Sequence, residues 1–413
     1  MINYPKKLEQ IFHKLAKYGA FPIIVGGFVR DSLLKIKNKD IDIEVYGISS
    51  FEELESILCE FGDVNSVGKS FGVCKLNFDG LDLDFSLPRK DSKISQGHKG
   101  FEVEIDSNLD FKTATSRRDF TINAIGYDTI KNIIIDPFNG VKDLDEKILR
   151  VVDSEKFSQD PLRVLRAIQF YARFNLKFDS KLFTLCEKMV NNNLLDELPK
   201  DRIFNEIKKL ILKSSNPSTG FKLLKSLNGL KYMQPLDSLT NNQFEKTMIL
   251  VDIIAKERIE SKTIKIILIL AIICNRFDSI QTKEFITNLT NDKNILKEVL
   301  VLNKSDFKNI YTDSELYKLA TKINIEMFLI YQKVIHNNLN NELFCELKKR
   351  VKELKILNKK AIPLIQGRDI LQLGIKPSKE YSKILDSAYE AQLNLIITNK
   401  KEAKEWLKEF LSL

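Results

Sequence analysis

The rhythm of apolar and polar positions changes once along this chain. Up to about residue 145, short apolar runs alternate with polar ones between glycine turns, as in IIVGG, DIDIEVYG, VCKLNFDGLDLDFSLP, FEVEI and IGYDTIKNIIIDPFNG. Such runs read as strands, interleaved with short helical patterns. From about residue 155 the apolar residues fall at helical spacing, as in PLRVLRAIQFYARF, RIFNEIKKLILK, TIKIILILAIIC and NELFCELKKRVKELKIL, so the remainder is expected to be all helical. Asparagine-rich breaks, MVNNNLLDEL, NLTNDKN and HNNLNNE, read as loops or caps. The expected architecture is an α+β head followed by a helical extension. Its boundaries fall near residues 145, 215 and 355, dividing the chain into segments 1–145, 146–215, 216–355 and 356–413.

Candidate chemistry concentrates where the strand pattern is clearest. Between Ile23 and Val45 an apolar run meets Gly26 and Gly27, then a helical pattern bearing Arg30, then Asp40 and Asp42. Residues i and i+2 of a strand share a face, so these two carboxylates converge while Ile41 and Ile43 point the other way. Oxygen ligands of this kind suit Mg²⁺, which typically takes one or two carboxylates and completes its shell with phosphates and water. A two-metal site follows from that arrangement. Glycines at a strand-to-helix turn let backbone amides approach a phosphate, and Arg30 lies one turn on. A second D-x-D, Asp82 and Asp84, reads as an exposed strand face, with Asp84 a candidate third carboxylate.

Two further blocks are dense in polar groups. In TATSRRDFTINAIGY, Arg117, Arg118, Asp119 and Asn123 sit among apolar neighbours. Arg118 can pair with a triphosphate, and Asp119 and Asn123 can hydrogen-bond a ribose hydroxyl; capping by Asp119 with solvated arginines is the alternative. In FSQDPLRVLRAIQFYARF, Asp160, Arg163 and Arg166 recur every three residues and share a face, opposite Leu162, Val164, Leu165 and Ile168. A carboxylate accepts from an exocyclic amine while a guanidinium donates to a ring nitrogen. Cytosine and adenine match such a pair, whereas guanine and uracil set acceptor against acceptor. Selection of C and A can then come from protein alone. A solvated helix with ion pairs would show the same spacing.

Composition narrows the partners. Lys and Arg outnumber Asp and Glu by 65 to 56, giving +9, which suits an anionic partner such as nucleic acid. At 413 residues the chain should form about two to four domains. No window of about eighteen apolar residues is free of charge and no signal-peptide core is evident, so a cytoplasmic protein without membrane spans is expected. Five scattered cysteines without C-x-x-C indicate neither zinc nor a disulfide framework, and all are expected to be buried small residues. Leu87 to Val103, LPRKDSKISQGHKGFEV, reads as a mobile basic loop. Lysines around Ala361 to Leu407 are compatible with an RNA backbone, and Trp406 reads as core.

GGFVRD with DID, RRDFTINAIGYD, IDPFNG and DPLRVLRAIQFYARF stand in the order found in the class II tRNA nucleotidyltransferase and bacterial poly(A) polymerase family. PLIQGRDILQLGIKPS also resembles the tail of CCA-adding members. The resemblance implies a polymerase-β-like head with helical neck, body and tail. It implies that Asp40 and Asp42 hold Mg²⁺, that Gly27, Arg30 and Arg118 bind the nucleotide, and that Asp160, Arg163 and Arg166 form an amino-acid template. Gln159 stands where many members have Glu, and Gln169 where many have Arg. The reaction implied is CCA addition to tRNA from CTP and ATP. CC-only, A-only or poly(A) activity belongs to the same family; CC-only members lack a long segment like Leu87 to Val103. A catalytically silent RNA-binding protein is the reading from another class.

Overall fold

A computed structural model of the chain describes residues 2–68, 72–93, 101–308, 310–336, 341–375 and 380–412. Its backbone forms two compact units, 1–237 and 238–413.

The first unit carries the strands. Helix α1 (Glu9–Lys17) precedes β1 (Phe21–Val25), α2 (Gly27–Leu33), β2 (Ile41–Tyr46), α3 (Phe51–Cys59), β3 (Asp63–Gly68), β4 (Val73–Phe78) and β5 (Leu81–Ser86). A hairpin, β6 (Arg89–Lys93) and β7 (Phe101–Ile105), leads to α4 (Phe111–Thr115), β8 (Gly126–Asp128), β9 (Ile133–Ile135) and α5 (Gly140–Asp145). Seven strands make one mixed sheet in the order β3-β4-β5-β2-β1-β8-β9. Its one parallel pair is β2 with β5. The register sets the site: β2 lies antiparallel to β1 with Asp42 opposite Val25, and parallel to β5 with Asp42 opposite Asp84. The Gly26 turn and two acidic strands therefore meet at one corner. Ile41, Ile43 and Val45 line the buried face of β2, as the alternation requires.

Beyond the sheet come β10 (Ile148–Leu149), α6 (Ser154–Ser158), α7 (Leu162–Phe174), β11 (Lys177–Phe178), α8 (Ser180–Asn191), α9 (Lys200–Lys213) and α10 (Ser218–Ser226). Leu162, Val164, Leu165 and Ile168 of α7 are all buried, and α7 packs on α9 and α10. The expectation of a purely helical chain after residue 155 misses β11, which pairs in parallel with β10 over two residues. Leu87 to Val103 was expected to be a loop, but Arg89–Lys93 pairs antiparallel with Phe101–Ile105; residues 94–100 lie outside the described part. RKDSK has no apolar period, and its strand state comes from its partner's backbone.

The second unit is helical. Ile266 to Ile273 of α11 (Lys262–Ile273) are all buried, as befits a helix apolar all round. Near the chain end, Ile370, Ile384, Ala388, Ala403 and Leu407 form one core with Trp406 partly buried against it. Cys74, Cys186 and Cys274 are buried, but Cys59 and Cys345 are exposed, against the expectation for all five; each lies on the wetter side of an amphipathic helix.

Candidate active site

Asp40 and Asp42 are exposed, and neither carboxylate has a hydrogen bond or ion pair among the described residues. Burial of its surroundings pushes the Asp42 carboxyl up although its surface reaches solvent; Arg118 pulls it down, while Asp84 and Asp40 add to the rise. Asp84 is half-exposed and tied to Lys75 at 3.1 Å, so it is more than the plain outer-face residue expected: it faces Asp42 across the parallel ladder. Gly26 adopts φ +70°, and a Cβ there would lie 2.7 Å from Nη1 of Arg118. Only glycine meets both demands. Arg118 thus lies directly over the turn.

Behind this corner runs a buried chain of polar groups. Arg30, 4% exposed, donates through Nε and Nη2 to Asp31 at 2.8 and 2.6 Å and through Nη1 to Oδ1 of Asn123 at 2.5 Å. Its guanidinium also lies 4.8 Å from the ring centre of Phe174. The Asn123 amide donates to Oδ1 of Asp119 at 2.8 Å, and that oxygen also accepts from the amide of Phe120 at 2.9 Å. Oδ2 of Asp119 accepts Nε and Nη2 of Arg166 at 2.7 and 2.6 Å. Burial raises the Asp119 carboxyl, but Arg166, the Asn123 hydrogen bond and Arg163 outweigh it and hold it below the usual range. Four donors fill the roughly four lone-pair directions of a carboxylate.

Arg163 reaches back from α7 and donates to the carbonyls of Lys156 at 3.1 Å and Arg117 at 2.7 Å. Asp160 stands just ahead of α7, where Oδ1 accepts the amide of Leu162 at 3.2 Å and Oδ2 lies 3.7 Å from Arg202 of α9. A cavity of about 400 Å³ is lined by Gly27, Asp42 and Arg118 on the sheet side and by Asp160, Arg163 and Arg166 on the helical side. A second, of about 580 Å³, shares Gly27, Arg30 and Asp42 with it and adds Asp40 and Lys213.

Residues 22–150 match the family model described as the poly A polymerase head domain, and residues 175–236 match a probable RNA and SrmB binding site of polymerase A. The CCA-adding enzyme of Buchnera aphidicola subsp. Schizaphis graminum is 39% identical over 215 residues, 51% of this chain and 50% of that protein. A solved CCA-adding enzyme in an apo form shares 26% identity and a TM-score of 0.69 over 99% of this chain and 95% of that one. The Thermotoga maritima CCA-adding enzyme complexed with tRNA_CCA is 25% identical, with a TM-score of 0.60 over 99% and 96%. Over residues 22–150 and 175–236 the chain is thus similar to the poly A polymerase family, and over nearly its whole length to solved CCA-adding enzymes. It matches the curated relatives over about half their length.

The polymerase-β-like, mixed-sheet head and the predominantly helical remainder match the fold of those solved enzymes. Likeness to nucleotidyltransferases implies use of a divalent metal ion. The donors fit such an ion: two unpaired carboxylates with Asp84 nearby, all oxygen. Among the described residues no three His, Cys, Asp or Glu side chains form a closed site; substrate phosphates and water would complete the shell of an ion held by the two carboxylates.

Of the residues singled out in the sequence, Asp42, Gly27, Arg30, Arg118, Asp119, Asn123, Asp160, Arg163 and Arg166 share one cavity. Gly26 does not line it but lies under the Arg118 guanidinium, and Asp40 lines the adjoining cavity. Arg30 is engaged through all three guanidinium nitrogens and both Asp119 oxygens accept protein donors, Arg166 among them; both residues line the cavity. Gln169 is 2% exposed and its Nε2 has no partner among the described residues, while Gln159, at the end of α6, does not line the cavity. Sequence reading missed Arg202 and Lys213, whose helical pattern carries no sign of what they face. It also missed Glu44, although D-I-D-I-E continues the alternation.

Proposed function

We propose that this protein adds C, C and A to the 3′ end of tRNA without a nucleic-acid template, transferring CMP and AMP from CTP and ATP and releasing pyrophosphate. The observation that carries the reading is the single cavity lined by Asp42 and Arg118 on one side and by Asp160 and Arg163 on the other. Phosphate chemistry and base recognition can then act on one bound nucleotide. Solved relatives named CCA-adding enzymes, one of them holding tRNA_CCA, support tRNA as acceptor. The excess of cations suits it, and cytoplasmic residence follows from the substrate; among the described residues no helix is long and apolar enough to cross a membrane.

Asp40 and Asp42 would hold Mg²⁺, which when bound lowers the pKa of the attacking hydroxyl and offsets charge on the departing pyrophosphate. Arg118, over the Gly26 turn, supplies a cation to the triphosphate. Arg166, fixed by Asp119, and Arg163, fixed by two carbonyls, present guanidinium donors from α7. Asp160 accepts the amine of cytosine or adenine while Arg163 donates to the adjacent ring nitrogen. The segments 146–215 and 356–413 then act in nucleotide selection and tRNA contact, the segment 216–355 joining them.

The test is incubation of the full chain with tRNA transcripts ending in the discriminator base, C or CC, each with CTP, ATP or both, followed by product sizing. Stepwise growth to CCA is expected. Addition of A alone to the CC-ending transcript, with no C incorporated anywhere, would replace this reading with A-adding activity. Binding without growth would indicate an RNA-binding protein.

A further inference from the structure

Asp42 and Glu44 share one face of β2, with Asp40 just ahead of its first residue, yet their environments diverge. Asp40 and Asp42 are open, while Glu44 is fully buried. A buried carboxylate is costly unless paired and hydrogen-bonded. Glu44 accepts the Tyr46 hydroxyl at 2.7 Å on Oε1, and Oε2 lies 3.3 Å from Nη2 of Arg117 and 3.7 Å from Nη2 of Arg118.

We propose that Glu44 is a positioning residue for nucleotide binding: its buried carboxylate anchors Arg117 and Arg118 at the cavity wall and holds Arg118 away from Asp42. The proposal rests on the nucleotidyl-transfer reading of the cavity.

Arg118 is poorly secured by anything else. Its Nε is buried without a partner, and its single ion pair within 4 Å among the described residues is with Glu44. The neighbouring charge of Arg117 repels it, and the attractions it feels come from Glu44 and Asp42. Remove the Glu44 charge and Asp42 becomes the anion that draws it. Arg118 then swings to the strand corner, leaving the phosphate position and neutralising a carboxylate that binds a cation. Both losses act on phosphate and metal, so they fall equally on CTP and ATP, whose bases are read from Asp160 and Arg163 on a different element.

The experiment measures equilibrium binding of CTP, ATP and, without nucleotide, Mn²⁺ to the full chain by calorimetry, alongside thermal unfolding. For Glu44→Gln, affinity for both nucleotides should fall about tenfold, with their ratio unchanged and Mn²⁺ affinity reduced several-fold. Glu44→Asp keeps the charge and should recover part of each. Tyr46→Phe removes only the hydroxyl held on Oε1, so a smaller loss in the same direction is expected, and this variant carries the test if Glu44→Gln does not fold. Nucleotide affinity equal to wild type in a folded Glu44→Gln, or a changed CTP to ATP ratio, overturns the proposal. Should the wild type extend no tRNA, the proposed function fails while these affinities still judge Glu44. Should it bind neither nucleotide, unchanged Mn²⁺ affinity in Glu44→Gln still overturns the anchoring role.

Discussion

Two acidic clusters in the first unit lie on neighbouring elements and follow opposite rules. Where the chain enters β2, Asp40 and Asp42 are exposed, and among the described residues their carboxylates are unpaired. A few residues into the protein, Asp31, Arg30, Asn123, Asp119 and Arg166 form a buried run in which every carboxylate and guanidinium is engaged. The two carboxylates proposed to hold the metal keep their lone pairs free, whereas those of Asp31 and Asp119 are occupied by protein donors. Asp119 and Arg30, both singled out as ligands, line the cavity while already holding protein partners. The contrast also marks Glu44, on the open strand but with buried partners, as a member of the second group.

The largest test of that contrast is Asp42→Ala, which removes an open carboxylate and no protein contact. Incorporation of both CMP and AMP should fall by at least about a thousandfold, with tRNA retention on filters and thermal stability near wild type. Retained activity would refute the metal assignment, and unfolding would refute the claim that this residue is structurally idle.

Asp119→Asn should behave the other way, costing about 3 kcal/mol of stability at neutral pH through the loss of a buried pair, read by denaturant unfolding. The sign follows from linkage. Asp119 is held below its ordinary value of 3.8, so its contribution is fully present above that value and is lost as pH falls through the lower native value. The difference between wild type and variant should therefore shrink below about pH 3.8. A pH-independent difference would mean that packing, not charge, is what Asp119 contributes.

Asp160→Ala removes a part-buried carboxylate on the helical side that is held by the Leu162 amide and Arg202. Discrimination against UTP and GTP should relax about tenfold, one good base contact being about 1–3 kcal/mol, while pyrophosphate release slows less. Unchanged discrimination in single-nucleotide incorporation would remove the template role. The smallest effect is expected from Asp84→Asn, since Asp84 is half-exposed and partnered by Lys75: activity within about fivefold, with less than about 1 kcal/mol of stability lost. A loss matching that of Asp42→Ala would make Asp84 a full third ligand.

Much of this could be read along the chain because it is local. The strand alternation put Asp40 and Asp42 on one face, the glycine pair marked the turn, and three-residue spacing put Asp160, Arg163 and Arg166 on one side of α7. Arg202, Lys213 and the strand state of Arg89–Lys93 could not be read, because each depends on a partner distant in sequence.

The sequence by itself determined the element types, the acidic corner and the order of motifs that marks the family, since periods of two and 3.6 residues and glycine conformations are properties of neighbours. Only the tertiary structure decided which charges remain open. Asp42 and Glu44 are chemically alike and two residues apart on one face, and nothing local separates them. The Tyr46 hydroxyl and the arginines of a segment some seventy residues away bury one, while the other faces a cavity, and a carboxylate's chemistry depends on how many of its lone pairs the fold has already filled.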